Sequence, residues 1–183
     1  MFFRFLNQPG GDCIQSITEP VKTSCLFRKP NEEDGADVWT LVKKTGVLDL
    51  NSSYSYLMWC KFFRDTTIIA EQRGKVVGFI SGFLNPSSPH VLFIWQVAVD
   101  KSQRGKGLAT KMISRLLERS SCDDVRYIEA TVSPSNLPSQ KLFKGFAEKM
   151  ETACKIRNGF IEDHFPENGH EDEPIYRIGP FDK

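Results

Sequence analysis

The chain has 183 residues, of which 40% are hydrophobic and 26% are charged, and its 24 basic and 23 acidic residues give a formal net charge of +1. This size suits one domain with a buried core, and the composition is typical of a soluble globular protein rather than of a disordered one. The near-zero charge argues against a dedicated nucleic-acid-binding protein, and no apolar stretch approaches the roughly 20 residues of a membrane-spanning helix. Five scattered cysteines without a C-x-x-C spacing indicate free thiols in a reducing cytoplasm.

The amino-terminal region lacks a clear pattern. We therefore expect a flexible arm over residues 1–25 and one domain over residues 26–180. The domain begins with a short predicted strand at 25–28. Asn31 then caps a predicted helix over 32–44, which carries acids in its first turn and lysines in its last turn.

A second predicted helix spans 54–63, after a polar loop at 49–53, because its apolar residues recur at helical spacing. The period then changes to that of β-structure, which predicts strands at 66–71, 76–83 and 91–99. The last of these strands is long and mostly apolar and is therefore expected to be buried on both faces.

The second half of the chain alternates between helix and strand. An amphipathic helix begins at Leu108, a strand follows at 125–132, and a further helix begins at Asn136. The pattern weakens after this helix, although apolar stretches around residues 147–165 could serve an interface between subunits. A closing strand is predicted at 175–178. This order of elements predicts an α/β domain with a mixed sheet flanked by helices.

The most informative segment is a glycine-rich turn between the buried strand and the next helix. It consists of Arg104, Gly105, Lys106 and Gly107. Glycines allow successive backbone N–H groups to converge, and the amino terminus of the helix adds partial positive charge. With the full charges of Arg104 and Lys106, the turn predicts a diphosphate site, although glycines alone are weak evidence and also occur in an ordinary strand-to-helix turn.

Two motifs in this context resemble the GCN5-related N-acetyltransferases, the GNAT family. The first follows a strand that ends Val-Ala-Val and consists of Arg104, Gly107 and Ala109. The second follows a later strand and consists of Asn136, Ser139, Leu142 and Phe143. The resemblance implies the acyl-CoA N-acyltransferase fold, with a mixed, mostly antiparallel sheet, and acetyl-CoA as the co-substrate.

The resemblance also implies how acetyl-CoA would bind. Backbone groups of Val97 and Val99 would pair with the pantetheine arm, and the Val97 N–H would polarise the thioester carbonyl. Asn136 would hydrogen-bond the pantetheine. The diphosphate would lie on a segment that consists of Arg104, Gly105, Lys106, Gly107, Leu108 and Ala109. Phe143, a further expected cofactor contact, stands where many family members have a tyrosine that protonates the leaving thiolate; another group, a water or unassisted departure must replace that tyrosine.

Within the family, four segments of the chain look like the L-2,4-diaminobutyrate acetyltransferases. They are 49–56, 93–100, 129–132 and 170–180. These enzymes acetylate the γ-amino group of L-2,4-diaminobutyrate on the pathway to ectoine, a compatible solute made under osmotic stress. The resemblance therefore implies a cytoplasmic enzyme, a homodimer by analogy with its relatives, that binds neither nucleic acid nor membranes.

The same resemblance nominates residues for the acceptor site. Diaminobutyrate carries two ammonium groups, so its site needs acids and a base for the reacting amine. Asp49 and Glu173 are the candidate bases, with Glu173 preferred, directly or through a water. Tyr54, Trp95 and His170 are the other expected substrate contacts, and Trp95 could stack on an ammonium group. Each of these residues also has an ordinary structural explanation, in a turn, a core or a solvated loop.

Alternatives to this function remain at the level of sequence. The acceptor could be another diamine, a polyamine or an aminoglycoside, or the chain could be a non-catalytic acyl-CoA sensor. A metal site is not expected, because His90, His164 and His170 share no ligand spacing. The charge is strongly divided, since 101–119 carries six basic residues and one acid, whereas 162–173 carries six acids and no Lys or Arg.

Overall fold

A computed structural model describes residues 24–46, 48–166 and 169–182. The arm expected over residues 1–25 lies outside these ranges except for Ser24 and Cys25, so the boundary at residue 26 stays a prediction.

Over the described residues the chain forms seven strands and four α-helices. The strands are β1 (Leu26–Arg28), β2 (Ile68–Gln72), β3 (Lys75–Asn85), β4 (Ser88–Val99), β5 (Tyr127–Thr131), β6 (Cys154–Phe160) and β7 (Glu173–Ile178). The helices are α1 (Gly35–Thr45), α2 (Ser53–Phe62), α3 (Leu108–Leu117) and α4 (Leu137–Lys149).

The first helix begins as its sequence predicts. The Asn31 side chain accepts a hydrogen bond from the Asp34 N–H, and the Asp34 carboxylate accepts one from the Asn31 N–H. This capping box opens a single 3₁₀ turn that continues into α1. The helix ends at Thr45 and is followed by Gly46, which adopts a left-handed conformation with φ of 67°.

All seven strands form one sheet in the order β1-β2-β3-β4-β5-β7-β6. Every neighbouring pair is antiparallel except β4 and β5, which are parallel. The parallel pair is short, because only Val91–Phe93 of β4 pairs with Tyr127–Glu129 of β5. The sequence-based prediction of a mixed, mostly antiparallel sheet flanked by helices is confirmed.

The helices cover the two faces of the sheet with separate cores. Helices α3 and α4 pack on one face, where Met112, Ile113 and Phe146 are fully buried. Helices α1 and α2 pack on the other face, where Val38 and Tyr56 lie among buried residues of β2, β3 and β4. Burial in the second core raises the pKa of the Cys60 thiol to about 12, so this thiol stays protonated and unreactive.

Strand β6 is the element that the sequence analysis does not predict. Both of its faces are largely exposed, with Lys155 and Arg157 on one side and Ile156 on the other. Among the described strands it pairs with β7 alone, which makes it an edge strand. Its alternation of apolar and polar residues covers only residues 154–157 before Asn158 and Gly159 interrupt it, so the strand signal is weak.

Within the described ranges, none of the helices combines the length and the apolar character that crossing a membrane requires. The same residues contain no group of three or more His, Cys, Asp or Glu side chains placed to hold a metal ion.

Candidate active site

The centre of the candidate site is the edge of β4 that faces β5. The N–H groups of Gln96 and Asp100 donate toward β3, to the Ser81 side chain at 3.2 Å and the Val77 carbonyl at 2.9 Å. Because backbone groups of successive strand residues point to opposite edges, Val97 and Val99 direct theirs toward β5. Beyond Phe93, however, the described β5 no longer pairs with β4. The peptide groups of Val97 and Val99 therefore face an opening into which an extended ligand could add as a strand.

A bulge separates the paired and the open parts of β4. Its register with β3 passes from Gly82 opposite Ile94 to Ser81 opposite Gln96, so Trp95 is the additional residue. A β-bulge bends a strand and redirects its side chains. Here it coincides with the point where β4 separates from β5.

The glycine-rich turn lies at the end of this open edge. Gly105 and Gly107 adopt φ angles of +73° and +71°, which L side chains rarely allow. The Asp100 carboxylate accepts hydrogen bonds from the Ser102 hydroxyl at 2.7 Å and N–H at 2.9 Å, and these bonds lower its pKa. Helix α3 begins directly after the turn, so its first N–H groups are available to an anion.

Cations surround the turn on its α1 side. A cavity of about 220 Å³ is lined by Leu41, Lys44, Thr45, Val99, Asp100, Lys101 and Arg104. The Arg104 Nε donates to the Val99 carbonyl at 3.2 Å, which places the guanidinium at the open edge of β4. The arrangement suits a ligand that is extended along β4 and anionic at the turn.

Two further predicted cofactor residues have clear structural roles. The Asn136 Oδ1 accepts from the Ser139 N–H at 3.1 Å and caps α4. Phe143 and Leu108 are only 3% and 6% exposed and pack in the core beneath α3 and α4. The contacts of these residues with coenzyme A stay predictions.

On the other side of the sheet, Gln96 attaches the 49–53 loop to β4. Its Nε2 donates to the Asp49 carbonyl at 2.9 Å, and its Oε1 accepts from the Tyr56 hydroxyl at 3.3 Å. That hydroxyl in turn accepts from the Asn51 N–H at 3.3 Å. Gln96 is a positioning residue that the sequence analysis missed, although a polar side chain inside an apolar strand was the available signal.

An aromatic wall stands beside this loop. Trp95 is 43% exposed, and its ring lies 5.0 Å from that of Trp59 on α2. Trp59 also stacks on Phe83, with ring centroids 6.4 Å apart. Tyr54, in the first turn of α2, is 66% exposed. The structure thus presents the side chains of Trp95 and Tyr54 to solvent, as a ligand-binding role requires.

The acidic residues directly before β7 contact the loop that precedes α4. The His170 ring stacks on Phe165 with centroids 3.5 Å apart. The neighbouring Glu171 carboxylate accepts from the Ser135 N–H at 2.9 Å, and this bond lowers the Glu171 pKa. Ser135 precedes Asn136, so the bond connects the segment with predicted acceptor residues to the loop with a predicted pantetheine contact.

Glu173 is the first residue of β7 and lies opposite Phe160 of β6. The backbone of Gly159 approaches the Glu173 carbonyl so closely that any Cβ at residue 159 would collide with it. The position of Glu173 therefore depends on a glycine in the unpredicted strand.

Comparison with known proteins agrees with this geometry. Residues 36–147 match the family model described as Acetyltransferase (GNAT) family. The L-2,4-diaminobutyric acid acetyltransferase of Virgibacillus pantothenticus is 57% identical over 151 residues, which cover 82% of this chain and 95% of that protein. The corresponding enzyme of Marinococcus halophilus is 51% identical over 160 residues, covering 87% of this chain and 92% of that protein.

A solved structure is also similar along nearly its whole length. The diaminobutyrate acetyltransferase EctA from Paenibacillus lautus, in complex with its substrate L-2,4-diaminobutyric acid and coenzyme A, matches with a TM-score of 0.84 and 46% identity. The match covers 88% of this chain and 98% of that chain. The chain therefore belongs to the acetyltransferase (GNAT) family, and within it to the L-2,4-diaminobutyric acid acetyltransferases.

Proposed function

We propose that the chain transfers the acetyl group of acetyl-CoA to the γ-amino group of L-2,4-diaminobutyrate, by direct attack in a ternary complex. The observation that carries the proposal is the open edge of β4, which ends at a cationic glycine turn and the amino terminus of α3. One end of this arrangement suits a pantetheine arm, and the other suits a diphosphate. The similarity to enzymes that act on diaminobutyrate supplies the acceptor.

The Val97 N–H is proposed to act on the thioester. It faces the opening between β4 and β5, where it can donate to the thioester oxygen as negative charge develops. Because this donor belongs to a strand that is held by β3, it is in place before substrate arrives. Preorganised donors of this kind typically contribute 10²–10³ in rate.

The attacking amine needs a base. An alkylammonium with a pKa near ~10 leaves only about one molecule in a thousand nucleophilic at neutral pH. Glu173, directly or through a water, is the proposed base, and Asp49 is the second candidate. Both residues lie at loop or strand ends and are reached by solvent, so a proton can leave the site.

Departure of the thiolate is proposed to need no tyrosine. Phe143 is buried and carries no hydroxyl group, so it cannot donate a proton. A thiol with a pKa near ~8.5 is a good leaving group, and either water or unassisted departure is chemically sufficient.

The proposal includes the location and assembly of the enzyme. The free thiols of Cys25, Cys60 and Cys154 are typical of the reducing cytoplasm, where we place the reaction that leads to ectoine. A homodimer is supported by exposed apolar side chains within the stretch expected to form an interface, namely Met150, Ile156, Phe160 and Ile161. Light scattering should give twice the chain mass of 20.8 kDa, and a monomer at micromolar concentration would contradict the dimer.

A panel of amines tests the function. Release of coenzyme A from acetyl-CoA should be fast with diaminobutyrate and slow with spermidine, putrescine and an aminoglycoside. Acetylation of spermidine but not of diaminobutyrate would overturn the choice of acceptor. Tight acetyl-CoA binding without release over any amine would instead identify a sensor.

A further inference from the structure

The carboxylate of the acceptor needs a cation, and the proposed site residues do not provide one. If diaminobutyrate is the substrate, as proposed above, its two ammonium groups face acids, but its carboxylate must also be bound. Burying a carboxylate without a partner is costly. The cations of the sheet face that carries Glu173 are therefore of interest.

A buried ion cluster lies on that face. Glu129 of β5 is 4% exposed, and its Oε1 accepts hydrogen bonds from Arg157 Nη2 at 2.5 Å and from Arg177 Nη1 at 2.6 Å. The Arg177 guanidinium also stacks on Tyr127, 3.8 Å from the ring centroid. One anion and two cations leave this cluster with a net charge of +1.

The cluster shares a face with the acceptor residues. Arg157 lies opposite Ile175, and Glu129 lies opposite Arg177. Because opposite residues share a face of a sheet and every second residue of β7 does too, Arg157, Glu129 and Arg177 lie on the same face of the sheet as Glu173. Glu129 is also the partner of Phe93, the last residue of β4 that pairs with β5. The cluster therefore lies where the two strands begin to separate.

The spacing along β7 fits the acceptor. Arg157 lies opposite a residue two positions from Glu173, which corresponds to about 7 Å along a strand. In an extended diaminobutyrate the carboxyl carbon and the γ-nitrogen are separated by four bonds, or about 5 Å. Because the 7 Å separates backbone positions and the Glu and Arg side chains are both long, a molecule of this length can place its γ-amine at Glu173 and its carboxylate at the Arg157 guanidinium.

Arg157 and Arg177 differ in availability. The Arg157 side chain is 54% exposed, whereas the Arg177 side chain is 25% exposed and held by Tyr127. Arg157 also commits one of its nitrogens to Glu129, which fixes the orientation of the planar guanidinium and leaves other N–H groups for a second carboxylate.

We propose that Arg157 binds the carboxylate of the diamino acid and thereby selects α-amino acids over simple diamines, with Glu129 and Arg177 as positioning residues. The substrate carboxylate neutralises the net charge of the cluster. Arg157 lies on the strand that the sequence analysis did not predict, which explains why no motif identifies it.

Removing the guanidinium from the enzyme and the carboxylate from the substrate tests this inference. The substrates are diaminobutyrate and 1,3-diaminopropane, which lacks only the carboxylate. The variants are Arg157→Ala, Arg157→Lys and, as a matched control, Lys155→Ala, which removes an exposed cation of the same strand and face. Initial rates are measured, together with calorimetric affinities for each amine in the presence of coenzyme A.

Arg157→Ala should raise KM and Kd for diaminobutyrate about 10- to 100-fold and change those for 1,3-diaminopropane less than about twofold. The KM and Kd of Arg157→Lys for diaminobutyrate should lie between those of the wild type and those of Arg157→Ala. Lys155→Ala should match the wild type. Equal losses for both amines, or no loss for diaminobutyrate, would overturn the inference while the wild-type activity keeps the proposed function intact. A wild type inactive on diaminobutyrate would overturn both.

Discussion

The cofactor half of the site is formed mainly by backbone groups, whereas the acceptor half is formed mainly by side chains. The cofactor half consists of backbone groups at the open edge of β4 and in the turn at 104–107, and the core beneath α3 holds them in place. The acceptor half consists of side chains, among them Asp49, Trp95 and Glu173, and few hydrogen bonds attach its 49–53 loop and the residues before β7 to the rest of the fold. Backbone sites tolerate side-chain substitution, whereas side-chain sites do not. Substitutions should therefore separate amine use from coenzyme A binding.

The largest effect is expected at the proposed base. Glu173→Gln keeps the shape of the side chain and removes its basicity, so kcat should fall by about 10²–10⁴. The Kd for coenzyme A, measured by calorimetry, should stay within about twofold. Glu162→Gln, an exposed acid in the same segment, is the matched control and should be fully active. Full activity of both Glu173→Gln and Asp49→Asn would remove the assignment of the base.

The second largest effect is expected at Gly159, which supports the backbone of Glu173. In Gly159→Ala the new methyl group would meet the Glu173 carbonyl oxygen, so β6 or β7 must shift. A misplacement of about 1 Å near a reacting group typically costs ~10²-fold, and kcat/KM for diaminobutyrate should fall by that order. Gly145→Ala is the control, because a Cβ there meets no atom within 4 Å. Comparable activity of the two variants would show that the position of Glu173 is not critical.

The difference between the halves also explains what the sequence could predict. The helices and the central strands follow from periodicity and from the Asn31 cap, and the turn at 104–107 follows from its glycines. In contrast, most side chains of the edge strand β6 are exposed, and its alternation of apolar and polar residues stops after four residues, so the sequence marks it only weakly. The roles of Gln96, Glu129 and Arg157 depend on contacts between residues far apart in the chain, which spacing along the sequence does not encode.

An intermediate effect is expected for the link between the halves. Gln96→Leu leaves the buried Tyr56 hydroxyl without its acceptor and the Asp49 carbonyl without its donor, so the free energy of unfolding should fall by about 1–3 kcal/mol. KM for diaminobutyrate should rise because the 49–53 loop loosens. Tyr56→Phe, which removes one hydroxyl group, should cost about 1 kcal/mol. Urea titrations and steady-state rates measure both quantities, and an unchanged stability of Gln96→Leu would refute the role of the link.

The smallest effect is expected at the exposed charges of the turn. Here coenzyme A binding should weaken, whereas the use of diaminobutyrate should not change. Lys106→Ala removes an exposed charge beside the proposed diphosphate, so the Kd for coenzyme A should rise only a few-fold, and less at high salt. KM for diaminobutyrate should not change. Lys75→Ala, an exposed lysine at the β2–β3 turn, should leave both constants unchanged. A loss confined to the amine would contradict the division into two halves.

The regiochemistry of the product tests the central claim most directly. Diaminobutyrate is incubated with the enzyme and acetyl-CoA labelled with ¹³C in the acetyl carbonyl, and long-range carbon–proton correlations are recorded by NMR. The account predicts a single product in which the labelled carbonyl couples to the γ-methylene protons. Coupling to the α-proton, a mixture of both products, or no acetylated diaminobutyrate would contradict it.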